Sequence, residues 1–300
     1  MFTRLMFLLL FTNAAIAGPW FTGPLLAPAG RTIPKGHFNI EPYSFYTEYA
    51  SPPGFKNFEV NPFLTVGINS FMDFQAGLPW DYSWVNEQHG RGIGDFGLGF
   101  GFQVFKQKQG SLIPDLRIVL QETIPTGRFE NLNPQKMLTD QTGFGAYQSI
   151  VSLNFQKLFT FGKHYLRSRV SLAGVFSNTA SVEGVNTFGG NEFTSGRVFP
   201  GNSYSADWAV EFTLTQHWVA VMEALYVHND STFFRGNPGF TADGTVGVIG
   251  GKGSEAASLA PAIEYNFTPT LGIIAGVWFS VTGPHDTKFI STTVAVNYYF

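Results

Sequence analysis

The sequence predicts an all-β fold, a transmembrane antiparallel up-and-down β-barrel of about 12 strands. Three observations predict it. In the last stretch, Thr287 to Phe300, Ile290, Thr292, Val294, Val296, Tyr298 and Phe300 fall on one face, and Ser291, Thr293, Ala295 and Asn297 on the other. Apolar against small or polar at period two, over a length that crosses a bilayer as a tilted strand, is the pattern of a lipid-facing sheet. Second, the candidate strands are joined by connections that are mostly short and long in turn. Third, the chain holds 32 Phe, 11 Tyr, 6 Trp and 34 Gly but only 13% charged residues. A barrel uses such residues for its lipid face, its aromatic girdles and its bends.

From the start of the chain, Met1 to Ala17 (MFTRLMFLLLFTNAAIA) places Arg4 before an apolar run, Leu5 to Phe11, and ends on Ala15-Ile16-Ala17. This is the pattern of a secretory signal peptide with an A-x-A cleavage site, and its apolar run is too short to span a membrane as a helix. No later stretch is long and apolar enough for a transmembrane helix. The absence of Cys excludes a lipid-modified N-terminal cysteine, disulfides and thiolate metal sites. Without Arg4 the 18 basic residues become 17 against 21 acidic, a net charge of −4. That balance argues against nucleic acid as a partner. Residues 18–36 (GPWFTGPLLAPAGRTIPKG) are rich in Pro and Gly and have no periodicity. They are expected to be a periplasmic N-terminal segment; a partial plug folded into the barrel mouth is the other reading.

The barrel is expected over 37–300, with strands near 37–50, 57–69, 70–80, 92–106, 114–125, 143–158, 163–176, 203–216, 217–229, 256–267, 270–282 and 287–300. In 92–106, Phe96, Leu98, Phe100, Phe102 and Val104 oppose Asp95, three glycines and Gln103. In 203–216, Trp208, Val210, Phe212 and Leu214 oppose Asp207, Glu211, Thr213 and Thr215. The connections at Asn69-Ser70, Thr160 to Gly162, Gln216-His217 and Phe267 to Thr270 are minimal, whereas 81–91, 126–142, 177–202 and 230–255 are long. Outer-membrane barrels sort their connections by parity in this way, with short periplasmic turns and longer external loops. An even strand number leaves both termini on the periplasmic side. Three features resist the pattern. Pro42, Pro62 and Pro261 fall inside candidate strands, where each removes a ladder donor. Glu122 takes a lipid-facing parity, which a place at the rim or a bulge would accommodate. The strand at 217–229 is apolar on both faces apart from Glu223.

The motifs that suggest chemistry are weak. Gly92 to Gly97 matches G-x-G-x-x-G, but it runs on into a strand where a dinucleotide site needs a helix. Its glycines are expected to relieve crowding at a bend. The six His are dispersed and none forms a zinc pair. Tyr226 to Ser231 (YVHNDS) offers a base, an acid and a hydroxyl at a rim, though alternation sets His228 and Ser231 on opposite faces. The expectation is therefore no enzyme, no cofactor and no metal site. The inward-facing charges are more suggestive. Arg117, Arg167 and Arg169 share one part of the predicted wall; Asp207, Glu211, Glu223 and Glu264 share the next. They are read as lumen-lining residues of a water-filled channel, against the alternative of an ion-pair network packing a closed core.

Two resemblances add to this. Phe300, with Tyr298 and Val296 at two-residue steps before it, resembles the C-terminal signature of Gram-negative outer-membrane barrels. That resemblance implies an assembly signal recognised by the barrel assembly machinery, with outer-membrane lipid as the other partner. The stretches Val66-Gly67-Ile68-Asn69-Ser70, Gly77-Leu78-Pro79-Trp80, Gly94-Asp95-Phe96, Pro114-Asp115-Leu116 and Ile124-Pro125-Thr126-Gly127 resemble the outer-membrane family associated with the meta-pathway of phenol degradation, the MetA-type transporters. The likeness runs from about residue 58 to 160. It implies a bacterial outer-membrane channel or transporter for small, hydrophobic or aromatic molecules, with no catalytic residues to carry over. The rivals are a structural or adhesive surface barrel with a closed lumen and an outer-membrane lipid-modifying enzyme.

Overall fold

The computed structural model describes residues 19–51, 54–108, 110–241, 243–283 and 287–300. The expected signal peptide lies outside the described residues. Twelve antiparallel strands close into a barrel. They are β1 (Phe38–Tyr49), β2 (Lys56–Gly67), β3 (Met72–Gly77 and Trp80–Val85), β4 (Gln88–Ile93 and Phe96–Phe105), β5 (Asp115–Ile124) and β6 (Gln148–Phe161). The second half comprises β7 (His164–Ser177), β8 (Ser203–Thr213), β9 (Trp218–Asn229), β10 (Ser254–Leu259 and Ala262–Asn266), β11 (Leu271–Thr282) and β12 (Phe289–Tyr299). Each strand pairs with its neighbours in sequence, and β12 returns to β1 from Asn39↔Tyr299 to Tyr49↔Phe289. Closure leaves no sheet edge, so every strand has partners on both sides.

The closing strand shows why the chain folds this way. Ser291, Thr293 and Ala295 of β12 are buried inward, while Ile290, Val294, Tyr298 and Phe300 stay exposed on the outer face. Alternation of this kind gives one sheet both an apolar outer belt and a polar inner wall. The same parity holds in β9, whose inner face was ambiguous. Val219, Val221 and Glu223 point inward, and Trp218, Met222 and Tyr226 outward. Two valines face inward because they meet an apolar cluster inside the barrel, formed with Leu25, Ala260, Ile274 and Ala295.

One connection differs from expectation. Residues 81–91, expected as a long loop, are mostly strand: Trp80–Val85 pairs with Gln88–Ile93 through a two-residue turn at Asn86-Glu87. Asn86 takes φ 52 there, a left-handed conformation that Asn tolerates better than most residues. The loops 177–202 and 230–255 also hold structure. Ala180–Glu183, Ser195–Phe199 and Phe233–Asn237 form a three-stranded sheet beyond the barrel. Ala146, Ala180, Val182 and Val198 give this long-loop end a core of its own.

The prolines sit where the ladder gives way. Pro42 and Pro62 are Cα partners on β1 and β2. On the far side of each, pairing passes over them: β1–β12 steps from Ile40↔Tyr298 to Tyr43↔Ala295, and β2–β3 from Val60↔Trp80 to Phe63↔Gly77. Each proline thus lacks the N–H that its outer neighbour would accept. Pro261 marks the break within β10, and its carbonyl accepts from Val277 N at 3.1 Å. Glu122 lies two residues from the end of β5 at the long-loop rim, where it accepts a hydrogen bond from Ser149 Oγ at 2.7 Å.

Candidate functional site in the barrel lumen

Of the two readings of the N-terminal segment, a periplasmic lead-in or a partial plug, the plug describes where 19–36 runs: inside the barrel, bonded to its wall. It enters at the short-turn end near β8–β10, where Trp20 meets the His217 ring edge-on at 5.1 Å. It then rises to mid-lumen at Leu26 and Ala27, and descends along β6, β5, β4 and β3 to join β1. Leu25 and Ala27 are buried. An irregular backbone in a lumen must find hydrogen-bond partners. Here the wall's carboxylates and amides provide them. Glu264 accepts from Thr22 N (2.8 Å) and Gly23 N (3.3 Å). Glu223 accepts from Leu26 N (3.0 Å to Oε2) and from Ala27 N. On the descending limb, Gln103 Oε1 accepts from Thr32 N (2.9 Å) and Asp73 Oδ2 from Ile33 N (3.0 Å), and Arg31 pairs with Asp115 (2.8 Å). Gly67 has no side chain where the Pro34 carbonyl packs against it. The segment is an arch bonded to the wall at both limbs.

Of the charged residues expected inside, the basic and acidic groups that the sequence sets side by side meet where β7 pairs with β8. Arg167 of β7 holds both oxygens of Glu211 of β8 through its Nε and Nη2, and Arg169 approaches the same carboxylate at 3.4 Å. Arg169 Nη1 also donates to the Ala27 carbonyl at 3.0 Å, and Arg167 stacks over the Phe21 ring at 4.2 Å. Both arginines therefore connect wall and arch. Arg117 stands apart from them, paired with Asp73 at 2.6 Å and donating to Gln75 Oε1 at 2.9 Å. Asp207 is buried on β8 with Oδ1 lacking a protein partner. Glu223 and Glu264 serve the arch, as above. Sequence reasoning missed Asp73, Asp115, Gln103 and Glu41, whose Oε1 accepts from Asn297 Nδ2 at 2.8 Å across the β1–β12 seam. Inward parity was the only signal for them.

The arch does not fill the barrel. A cavity of about 400 Å3 remains between it and the β1–β3 wall, with Tyr43, Phe45 and Phe63 on one side and Glu41, Arg117 and Arg169 on another. A smaller one, about 250 Å3, lies against β5–β9, bordered by Leu26, Pro28, Ser152, Ser171 and Asp207. Among the described residues no cluster of His, Asp and Glu could hold a metal ion. At the rim His228 lies between Asp230 (3.5 Å) and Glu255 (3.4 Å), while Ser231 Oγ accepts from Gly253 N at 3.0 Å. Gly92 and Gly94 of the Gly92–Gly97 motif face Thr142 of the 125–147 connection, and Gly90 just before the motif faces Thr139, so that loop can press against β4.

No protein-family model matches the chain, and no curated protein matches it. Solved structures do. An outer membrane channel from Pseudomonas putida F1 superimposes with a TM-score of 0.66 at 14% identity, covering 92% of this chain and 100% of that one. The β-domain of the Bordetella autotransporter BrkA gives 0.46 at 11% identity, covering 89% and 100%. The NanC porin gives 0.42 at 10%, covering 86% and 98%. The first likeness shows a shared outer-membrane barrel fold; the other two are too distant to add to it. The link to phenol degradation rests on the sequence motifs alone.

Proposed function

We propose that the chain is an outer-membrane channel for small molecules, narrowed by its own N-terminal arch and without enzymatic chemistry. The observation that carries this reading is the cavity beside the arch. It combines a charged and amide-rich wall with three inward aromatic rings in a barrel whose inner face otherwise tends to small and polar residues. A barrel meant only as a rigid wall would gain more from packing that space. The mixed lining suits small molecules with apolar or aromatic bodies, in keeping with the family resemblance. The outer face, with its exposed Ile, Leu, Val, Phe, Tyr and Trp side chains, suits outer-membrane lipid. The C-terminal Val296, Tyr298 and Phe300 suit recognition by the barrel assembly machinery. In this setting the long-loop end is external and both termini are periplasmic.

A second reading, a structural or adhesive barrel with a closed lumen, is favoured by the bonds that fix the arch and by the buried Arg167–Glu211 pair. Planar-bilayer recordings of the purified protein separate the two. A channel gives discrete conductance steps that change when Arg117 or Glu41 beside the cavity is neutralised. Silent bilayers, with the same substitutions lowering only the melting temperature, leave the structural barrel as the account.

A further inference from the structure

A third cavity, of about 550 Å3, lies at the long-loop end, apart from the lumen sites. Its polar side is Asn57, Asp81 and Ser83, from the inner faces of β2 and β3. Its apolar side is Tyr49 and Phe55 at the β1–β2 turn, with Met137, Leu138 and Phe144 from the 125–147 connection. We propose that this cavity binds small molecules with a ring-bearing body and a hydrogen-bond donor, amine or hydroxyl, at one end, and that it excludes anions. Its role in capturing solute for transport rests on the channel reading; the binding itself does not.

The apolar side is built, not incidental. Met137 and Leu138 take φ 53 and φ 65, two successive left-handed residues of which neither is Gly. They remain 44% and 40% exposed on the cavity while the loop around them is fixed. Asp140 pairs with Arg128 at 3.3 Å and accepts from Asn133 N at 3.1 Å. Thr142 Oγ1 donates to the Ile93 carbonyl at 2.8 Å, and Phe144 N donates to Asp95 Oδ2 at 2.7 Å. The Thr139 carbonyl fills the place that a Cβ on Gly90 would take. The loop therefore presents two flexible apolar side chains to open space from a rigid base. Thioether and ring faces accept an aromatic or alkyl body, and the rings also accept an ammonium group.

The polar side sets the other end of the ligand. Asp81 Oδ1 accepts from Asn57 Nδ2 at 3.2 Å, and Asn57 also donates to Ser83 Oγ at 3.0 Å. Glu59 is the Cα partner of Asp81 on β2, and Asp95 stands on β4 nearby. Among the described residues no ion pair involves Asp81 or Glu59, and Arg128 is engaged by Asp140. Carboxylates without a cation accept donors and repel anions.

The test uses the full barrel in lipid nanodiscs at neutral pH, with benzylamine, benzyl alcohol and benzoate as probes and empty nanodiscs as the partition control. Calorimetric titration should show benzylamine and benzyl alcohol binding, with benzoate about tenfold weaker or worse. Leu138→Gly suits the left-handed backbone, so the melting temperature should not fall, yet affinity for both donors should drop about tenfold. Asp81→Asn should erase the preference over benzoate. Unchanged affinity in Leu138→Gly, or benzoate bound as tightly as benzylamine by the parent, overturns the site. Binding with silent bilayers supports the site while removing the channel reading; conductance without binding overturns the site alone.

Discussion

Arg117 of β5 reaches Asp73 of β3 across an intervening strand, its Nη2 lying 2.6 Å from Oδ1 over Gly101 of β4. A Cβ on Gly101 would run into both partners, so the glycine is what lets the pair form. Both side chains are 5% exposed or less. Removing one partner from such a pair leaves an unpaired buried charge, at about 3–5 kcal/mol. Asp73→Asn should therefore destabilise the barrel by about that amount, and Gly101→Leu should separate the pair and destabilise it too. Urea unfolding in lipid vesicles measures both. A loss below about 1 kcal/mol for Asp73→Asn would show that water in the cavity already solvates Arg117.

The same pair marks how far the sequence could be read. The strands were legible because period-two alternation is local: Ile290 to Phe300 names its two faces without reference to any other strand. Inward parity likewise placed Arg167, Arg169, Glu211, Glu223 and Glu264 on the inner wall. Their partners were not legible, because which carboxylate meets which guanidinium depends on strand stagger, and Arg117 skips a whole strand. The arch was hidden for a different reason. Its bonds to Glu223 and Glu264 come from backbone N–H groups, which every residue but proline carries, so no side-chain pattern announces them. Residues 81–91 were misjudged because Asn86 and Gly90, with Gly92 just beyond, look like loop composition, although Trp80, Tyr82 and Trp84 alternate and Asn86 suits a tight turn. Those glycines answer to Thr139 and Thr142, far away in the chain.

The arch is held chiefly by two carboxylates, which gives a direct experiment. A Gln side chain keeps one acceptor oxygen and turns an NH2 donor toward the same backbone N–H groups. Changing both acceptors to amides, Glu223→Gln with Glu264→Gln, should loosen the segment between Thr22 and Ala27 while the closed ladder of twelve strands persists. Hydrogen exchange at the amides of Thr22, Leu26 and Ala27 should rise by about tenfold or more, with strand protection unchanged. If the channel reading holds, bilayer conductance rises in the same variant. Unaltered exchange would mean that the apolar contacts of Leu25 alone hold the arch.

Pro62 offers a gain of stability. On β1, Phe38 exchanges both backbone bonds with Phe300, so Pro42, two steps of two residues further, faces Val296 without a donor. On β2, Ile68 N donates to the Met72 carbonyl, and the same two-residue steps bring Pro62 to face Leu78. Pro62 is exposed on the outer face, so its side chain makes little packing demand. Pro62→Val restores a ladder N–H and adds a residue that favours strands. A gain of about 1 kcal/mol is expected in vesicle unfolding. A loss instead would mean that the break at Leu78-Pro79 sets the strand path and that a bond at Pro62 opposes it.

Phe300 gives the last prediction. Its backbone exchanges hydrogen bonds with Phe38, at 3.0 Å and 2.8 Å, so it fastens the seam where the last strand meets the first. Its ring stacks on Phe38 at 5.3 Å and on Tyr298 at 5.2 Å, and stays 48% exposed on the outer face. A half-exposed terminal ring contributes modestly to folded stability, about 1 kcal/mol for such aromatic pairs. An assembly signal would matter far more than that. Phe300→Ala should therefore refold from urea into vesicles nearly as well as the parent, within about 1–2 kcal/mol. In cells the same variant should be exported but should fail to become the compact, heat-modifiable form on gels. Equal assembly of variant and parent in cells would deny Phe300 a role as a signal and leave it as a seam residue. Failure in both settings would place its role in closing the barrel, with Phe38 as the partner whose replacement should then do the same.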